Sequence, residues 1–179
     1  GKYEVIEMAI DGIAVVVNPA NGVADLTMDQ IAGIFKGEIT NWKDVGGADG
    51  QILVVGREEG SGTRDGFEEI VGAKGECKYG VQLKETGDVV SKVASEEAAI
   101  GYISYASVND QVKALKVGGV EVSDANIADG SYKLQRPFVH AYRKGTDDEL
   151  VNAYIEFLKT DKAQELIKAD KLIPVEFWK

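Results

Sequence analysis

Ile52-Leu53-Val54-Val55-Gly56-Arg57-Glu58-Glu59-Gly60-Ser61-Gly62-Thr63-Arg64-Asp65-Gly66-Phe67-Glu68-Glu69-Ile70-Val71 is the stretch whose reading decides the fold class. Its first five residues are an apolar run short enough for a buried strand, and from Asp65 onward Phe67, Ile70 and Val71 fall on one stripe of a helix. Between them lies a loop with glycine at positions 60 and 62. Strand, glycine-containing loop and helix in direct succession form the handover of an α/β sheet.

The flanking sequence repeats that logic. Upstream, Glu4 to Asn18 carries Ile10, Ile13, Ala14, Val15, Val16 and Val17, nearly unbroken, as suits a strand covered on both faces. Asn18-Pro19-Ala20-Asn21-Gly22 breaks it. Leu26 to Phe35 predicts a helix capped by Thr27, with Met28, Ile31, Ile34 and Phe35 at helical spacing, and a loop from Glu38 to Gln51 follows. Downstream, the pattern predicts a helix over Asp88 to Ala98, a strand over Ala99 to Tyr105 and a strand with a turn over Val112 to Val122. Ser123 to Ile127 starts a short helix. Tyr132 to Tyr142 is extended, because Arg136-Pro137 bars a helix through its middle. Gly145-Thr146-Asp147-Asp148-Glu149 opens an amphipathic helix carrying Leu150, Val151, Tyr154, Ile155, Phe157 and Leu158, and a second short helix surrounds Ala163 to Lys168.

Composition narrows the function classes. With 179 residues, folding hides roughly 70% of the unfolded chain's surface, enough for a core without staples. Hydrophobic residues at 44% and charged residues at 28% are those of a globular chain rather than a disordered one. The 20 Lys and Arg against 30 Asp and Glu leave a net charge of −10, which argues against a nucleic-acid binder working by bulk charge. One cysteine, Cys77, cannot form an intramolecular disulfide, and with one histidine, His140, no Cys/His zinc cluster can be assembled. The apolar run Ile13 to Val17 is far short of the ~20 residues of a membrane helix.

The chemistry concentrates at the central turn. A helix N-terminus presents backbone N–H groups that have no intrahelical acceptor, and an anion can dock on them. Gly60 and Gly62 allow close approach, Ser61 and Thr63 add rotatable hydroxyl donors, and Arg57 supplies a guanidinium fork, with Arg64 as a second candidate. Glu58 and Glu59 can hold an arginine in place, or accept the proton of hydrogen phosphate, which fully ionised sulfate lacks. A plain N-cap with a tight turn accounts for the same spacing. The Gly-x-x-x-x-Gly-Lys-Ser/Thr and Gly-x-Gly-x-x-Gly patterns are missing, so nucleotide readings lack support.

Two long segments carry a family resemblance. Arg57 to Arg64, preceded by Leu26-Thr27-Met28-Asp29-Gln30-Ile31-Ala32-Gly33-Ile34-Phe35-Lys36-Gly37-Glu38-Ile39-Thr40-Asn41-Trp42, resembles the phosphate-binding proteins of bacterial high-affinity phosphate importers. Ala99-Ile100-Gly101-Tyr102 and Arg136-Pro137 sit where that family has similar segments, and the match covers nearly the whole chain. The resemblance implies a class II periplasmic-binding-protein-like lobe of α/β fold, a mixed sheet flanked by helices. It further implies non-catalytic capture of inorganic phosphate for a membrane ABC permease, in an extracytoplasmic setting (periplasm or cell-surface lipoprotein), with no cofactor and no metal. Carried over residue by residue, Arg57, Ser61, Gly62 and Thr63 bind phosphate, Arg64 adds a direct contact, and Glu59 is the acid that orients Arg57.

Members of that family usually begin with a first lobe carrying a Gly-Ser-Thr-Ser type loop and a phosphate-facing aspartate, and no such segment precedes Gly1. The expected organisation is therefore a crossover strand region (1–18), a phosphate-binding lobe (19–135), and the return strand with C-terminal helices of an incomplete other lobe (136–179). Tyr154, Phe157, Phe177 and Trp178 would expose apolar surface on that tail, so a homodimer or domain swap is expected. Two rival functions use the same turn: a phosphoryl-transfer enzyme, for which no nucleophile, base or metal constellation is in evidence, and a sensory or adhesion module of the same fold. His140 reads as a strand histidine satisfied by a neighbour, Cys77 as an incidental thiol, and Trp42 as a plug of its loop onto the core. Glu68-Glu69 reads as part of a solvated helix face.

Overall fold

The structure, a computed structural model, describes residues 2–145 and 148–175. Its described residues divide between two compact units, Gly12–Gln135 and a second built from Gly1–Asp11 together with Arg136–Lys179. Strand β1 (Tyr3–Val17) contributes to both. Up to Met8 its residues alternate between exposed and half-buried, and from Asp11 onward every one is buried. The two-faced burial expected for the whole run thus holds for its second half.

The larger unit continues with β2 (Asp25–Leu26) and α1 (Met28–Phe35), whose N-cap is Thr27. Thr27 Oγ1 accepts from the Gln30 amide while Gln30 Oε1 accepts from the Thr27 amide, a reciprocal capping box. The following loop contains a 3-10 turn, Trp42–Val45, whose indole is buried and donates Nε1–H to the Ala98 carbonyl at 3.1 Å. Then come β3 (Leu53–Arg57), α2 (Gly62–Ile70), β4 (Val81–Leu83), α3 (Thr86–Ser95) and β5 (Ala99–Ser104). The sequence pattern missed β4, because three residues carry too little alternation to register. The stretch expected as a strand with a turn over Val112 to Val122 holds two short strands, β6 (Lys113–Ala114) and β7 (Lys116–Val117), which join different sheets, and then the turn at Gly118 and Gly119; α4 (Asp124–Ala128) follows behind its N-cap Ser123.

The sheet of this unit runs β4-β3-β5-β1-β6, with β3 parallel to β4 and β5, and β1 antiparallel to β5 and β6. It is the mixed sheet of an α/β fold. Alternation along β5 separates its two faces. Ala99 and Ile103 join Val55 and the buried α3 residues Val89, Val90 and Val93 in an aliphatic layer. Tyr102 turns the other way into an aromatic layer, where its ring stacks on Phe67 of α2 at 4.1 Å with a 12° interplanar angle, and Phe35 of α1 meets Phe67 edge-on at 4.6 Å. Rings of this size, fully buried, contribute about 1.5–3 kcal/mol each, so these contacts fix α2 against the sheet. Helix α3 ends three residues before the expected Ala98. Asn18 Nδ2 donates to the Val93 and Ala94 carbonyls at 3.3 and 2.7 Å, a long-range cap that no local pattern announces.

The smaller unit comprises the first part of β1, β8 (Gln135–Arg143), α5 (Glu149–Leu158), α6 (Asp161–Ala169) and β9 (Ile173–Pro174), with β8 and β9 both pairing with β1. Asp148 caps α5 by accepting from the Leu150 and Val151 amides. His140 is half-buried, its Nε2 meeting Tyr154 Oη at 3.1 Å and Met8 Sδ at 3.0 Å, in keeping with a satisfied strand histidine. Tyr154 and Phe157 are exposed. Phe177 and Trp178, expected to add to that apolar surface, lie outside the described residues, as do Thr146 and Asp147.

Candidate functional site

Strand β3 ends at Arg57, and the chain turns at once into α2. Glu58 N–H donates to the Leu83 carbonyl at 3.0 Å, which holds the start of the turn against β4, and Ser61 N–H closes the turn on the Glu58 carbonyl at 3.3 Å. Gly60 takes φ +85°. Ser61 is the N-cap, its Oγ accepting from the Arg64 amide at 3.3 Å, so α2 begins at Gly62, three residues before the expected Asp65. Gly62 to Arg64, anticipated as the end of the loop, are therefore helix. This places Gly62 and Thr63 in the first turn, where the helix dipole is positive, and among the described residues no backbone carbonyl claims the Gly62 amide. A Cβ on Gly60 would find nothing within 4 Å, so Gly60→Ala is expected to cost only the left-handed backbone strain, about 1–2 kcal/mol, read as a lower urea midpoint with unchanged slope.

Arg57 is gripped at four points. Its amide donates to Tyr102 Oη at 3.2 Å, and its carbonyl accepts from Arg64 Nη1 at 3.0 Å. Its guanidinium donates through Nε to the Lys84 carbonyl at 2.9 Å and through Nη1 to Thr86 Oγ1 at 2.8 Å. Lys84 and Thr86 belong to the turn between β4 and α3, which lies beside the β3–α2 turn because β3 and β4 are parallel and in register from Val55 to Arg57. Glu59, expected to orient Arg57, is exposed and makes no hydrogen bond or ion pair with it among the described residues. Its place as the group holding the guanidinium is taken by a backbone carbonyl and a threonine hydroxyl.

Arg64 donates Nε–H to Glu68 Oε1 at 2.7 Å and Nη1–H to Gln82 Oε1 at 2.9 Å, besides the bond to the Arg57 carbonyl, and its guanidinium carbon lies 5.0 Å from the centre of the Tyr79 ring. These contacts make it a brace between helix, strand and turn. Glu68 was expected on a solvated helix face with Glu69. It is 4% exposed and is the hub of a polar cluster. Its Oε1 accepts from Arg64 and from Tyr79 Oη at 2.9 Å, and its Oε2 accepts from the Gly75 amide at 3.1 Å.

Proton counting fixes the direction of the chain that leads back to Arg57. Tyr79 has one hydroxyl proton, and the carboxylate takes it, so across the 3.1 Å contact Tyr102 donates to Tyr79. Tyr102 in turn accepts the Arg57 amide. Burial alone would raise the Glu68 pKa, but the Gly75 amide, the Arg64 guanidinium and the Tyr79 hydroxyl together hold it below its ordinary value. Burial pushes the Tyr79 phenol far up, so it stays protonated as a donor, and burial likewise raises Tyr102. Burial also raises the Cys77 thiol, whose Sγ contacts the Ala73 carbonyl at 3.5 Å, as suits an incidental cysteine.

The structure thus brings Arg57, Ser61, Gly62, Thr63 and Arg64 onto one braced strand-to-helix turn and leaves Glu59 outside the hydrogen-bonded set. Sequence reasoning missed Tyr79, Gln82, Lys84, Thr86, Tyr102 and the buried Glu68. Only Tyr102 carried a local signal, since a tyrosine inside a buried strand needs a partner for its hydroxyl.

Residues 4–162 match the PBP superfamily domain. The chain belongs to the PBP superfamily. Among the relatives of this PBP-superfamily chain is the phosphate-binding protein PstS of Bacillus subtilis, 34% identical over 171 residues that make up 94% of this chain and 57% of that protein. PstS of Staphylococcus epidermidis is 33% identical over 176 residues, 91% of this chain and 54% of its own. The chain spans about half the length of these curated relatives. Two crystal structures align closely. An ABC-type phosphate transport receptor from Vibrio cholerae gives a TM-score of 0.92 at 38% identity, covering 98% of this chain and 74% of that one. A Clostridium perfringens protein crystallised with bound phosphate gives 0.86 at 43% identity, covering 97% and 72%.

Proposed function

We propose that this chain binds inorganic phosphate without converting it, at the β3–α2 turn, and that it serves an ABC-type importer outside the cytoplasm. The observation that carries the reading is the fixed Arg57 guanidinium at the end of β3, followed at once by a helix whose first turn holds Ser61, Gly62 and Thr63. A tetrahedral oxyanion accepts hydrogen bonds on every oxygen, and this turn supplies a backbone amide from Gly62, hydroxyls from Ser61 and Thr63, and the remaining donors of the guanidinium. Arg64 supports the site from behind by holding the Arg57 carbonyl. The names of the Bacillus subtilis and Vibrio cholerae relatives, and the phosphate held by the Clostridium perfringens protein, support the same ligand. A net charge of −10 does not oppose it, because hydrogen bonds at contact distance outweigh a global field screened over a Debye length of about 8 Å.

Titrating phosphate into the chain by calorimetry tests the reading. Arg57→Ala is expected to weaken binding by about 100-fold or more, since it removes a charge-assisted fork. Unchanged affinity would remove Arg57 from the site.

A further inference from the structure

We propose that Thr86 is the positioning residue for Arg57, doing through its hydroxyl what the family resemblance assigns to Glu59. The proposal rests on the phosphate reading above and identifies what makes that site ready before its ligand arrives. Arginine carries five N–H donors in a rigid plane. Two of them are engaged, Nε–H by the Lys84 carbonyl and one Nη1–H by Thr86 Oγ1. Among the described residues no protein acceptor takes the donors of Nη2, so the fork can stay in its bracket while its free end meets the oxygens of an anion.

The bracket is itself held rigidly. Thr86 is the first residue of α3, and the buried Val89, Val90 and Val93 pin that helix to the sheet, so the position of Oγ1 follows from core packing. Lys84 lies next to β4, which pairs with β3 in parallel at Arg57 and Leu83. The backbone of Arg57 is fixed at the same time, through Tyr102 and Arg64. The side chain and the peptide that carry the fork are therefore both immobilised from neighbouring elements. Glu59 is exposed and makes no hydrogen bond or ion pair with either among the described residues. Freezing a long side chain at the moment of binding weakens affinity, and a side chain already frozen escapes that loss.

Of the two acceptors, the Lys84 carbonyl survives any side-chain substitution, and Thr86 Oγ1 does not. In calorimetric titrations of the 179-residue chain with inorganic phosphate, Thr86→Val is expected to weaken binding by about 3- to 10-fold. Thr86→Ser restores affinity to within about twofold, because it keeps the acceptor. The melting temperature of Thr86→Val is expected to fall by no more than about 2–4 °C, the scale of one lost hydrogen bond in a chain of this length. The loss also disappears in an Arg57→Lys background, whose ammonium has no fork to orient; a general structural effect of Thr86→Val would persist there. Should the valine variant fail to fold, Thr86→Ala, which suits a helical first turn better, gives the same readout.

The proposal is overturned if Thr86→Val binds phosphate as the parent does, if its loss persists unchanged in Arg57→Lys, or if Glu59→Gln loses affinity where Thr86→Val does not. A parent chain that gives no phosphate-dependent heat, or an Arg57→Ala variant that binds normally, instead overturns the phosphate reading and this proposal with it.

Discussion

Gly56→Ala is expected to destabilise the chain by about 3–5 kcal/mol. A Cβ at this position would stand 2.2 Å from Tyr79 Cε1, 2.4 Å from Cδ1 and 2.8 Å from Cζ, far inside van der Waals contact with the ring. Tyr79 cannot step back at small cost. Its hydroxyl is pinned between Glu68 and Tyr102, the Arg64 guanidinium covers its ring, and Phe35 meets it edge-on at 6.2 Å. Overpacking of a filled core costs about 1–3 kcal/mol. Withdrawing a donor from a buried carboxylate adds about 1.5–3 kcal/mol, because the bond is to a charged group. Urea unfolding of the variant reads the sum. A loss below about 1 kcal/mol would mean that the ring swings aside freely and that the polar cluster behind the turn is not coupled to it.

The gap between sequence and structure follows a physical line. What was legible has a local cause: the apolar run of β3, the glycines and serine of the turn, Thr27 as a cap, and the helical stripe through Phe67 and Ile70 all act within a few residues. The class of fold and the place of the candidate site follow from those. What was not legible depends on partners far along the chain. Whether Arg64 faces solvent or a carboxylate is decided partly by Gln82, eighteen residues on, and the end of α3 is decided by Asn18, seventy-five residues back. Glu68 looked solvated because Glu69 beside it is, and one helical step of 100° is enough to separate an exposed acid from a buried one. Thr86 carries no signal at all: a threonine near a helix start is ordinary, and only the parallel pairing of β3 with β4 sets it beside Arg57.

That dependence gives the second large effect its form. Glu68→Ala is expected to cost about 3–5 kcal/mol, the scale for removing one partner of a buried ion pair. The Arg64 side chain is 14% exposed and the Glu68 side chain 5%, so the guanidinium left behind is poorly rehydrated, and Tyr79 Oη and the Gly75 amide lose their acceptor with it. Glu68→Gln keeps the volume and one carbonyl oxygen, so it isolates the charge. The folded carboxyl titrates below its ordinary value near 4.5, which means that its stabilising contribution is complete above that value and is lost as the pH falls through the lower folded one. The free-energy gap between parent and Glu68→Gln should therefore be widest at neutral pH and should close in acid, below about pH 4.5, as the parent takes up the proton that glutamine never carries. A gap that stays constant from neutral to acid pH would show that the Glu68 charge contributes nothing to holding Arg64, and with it the Arg57 carbonyl, in place.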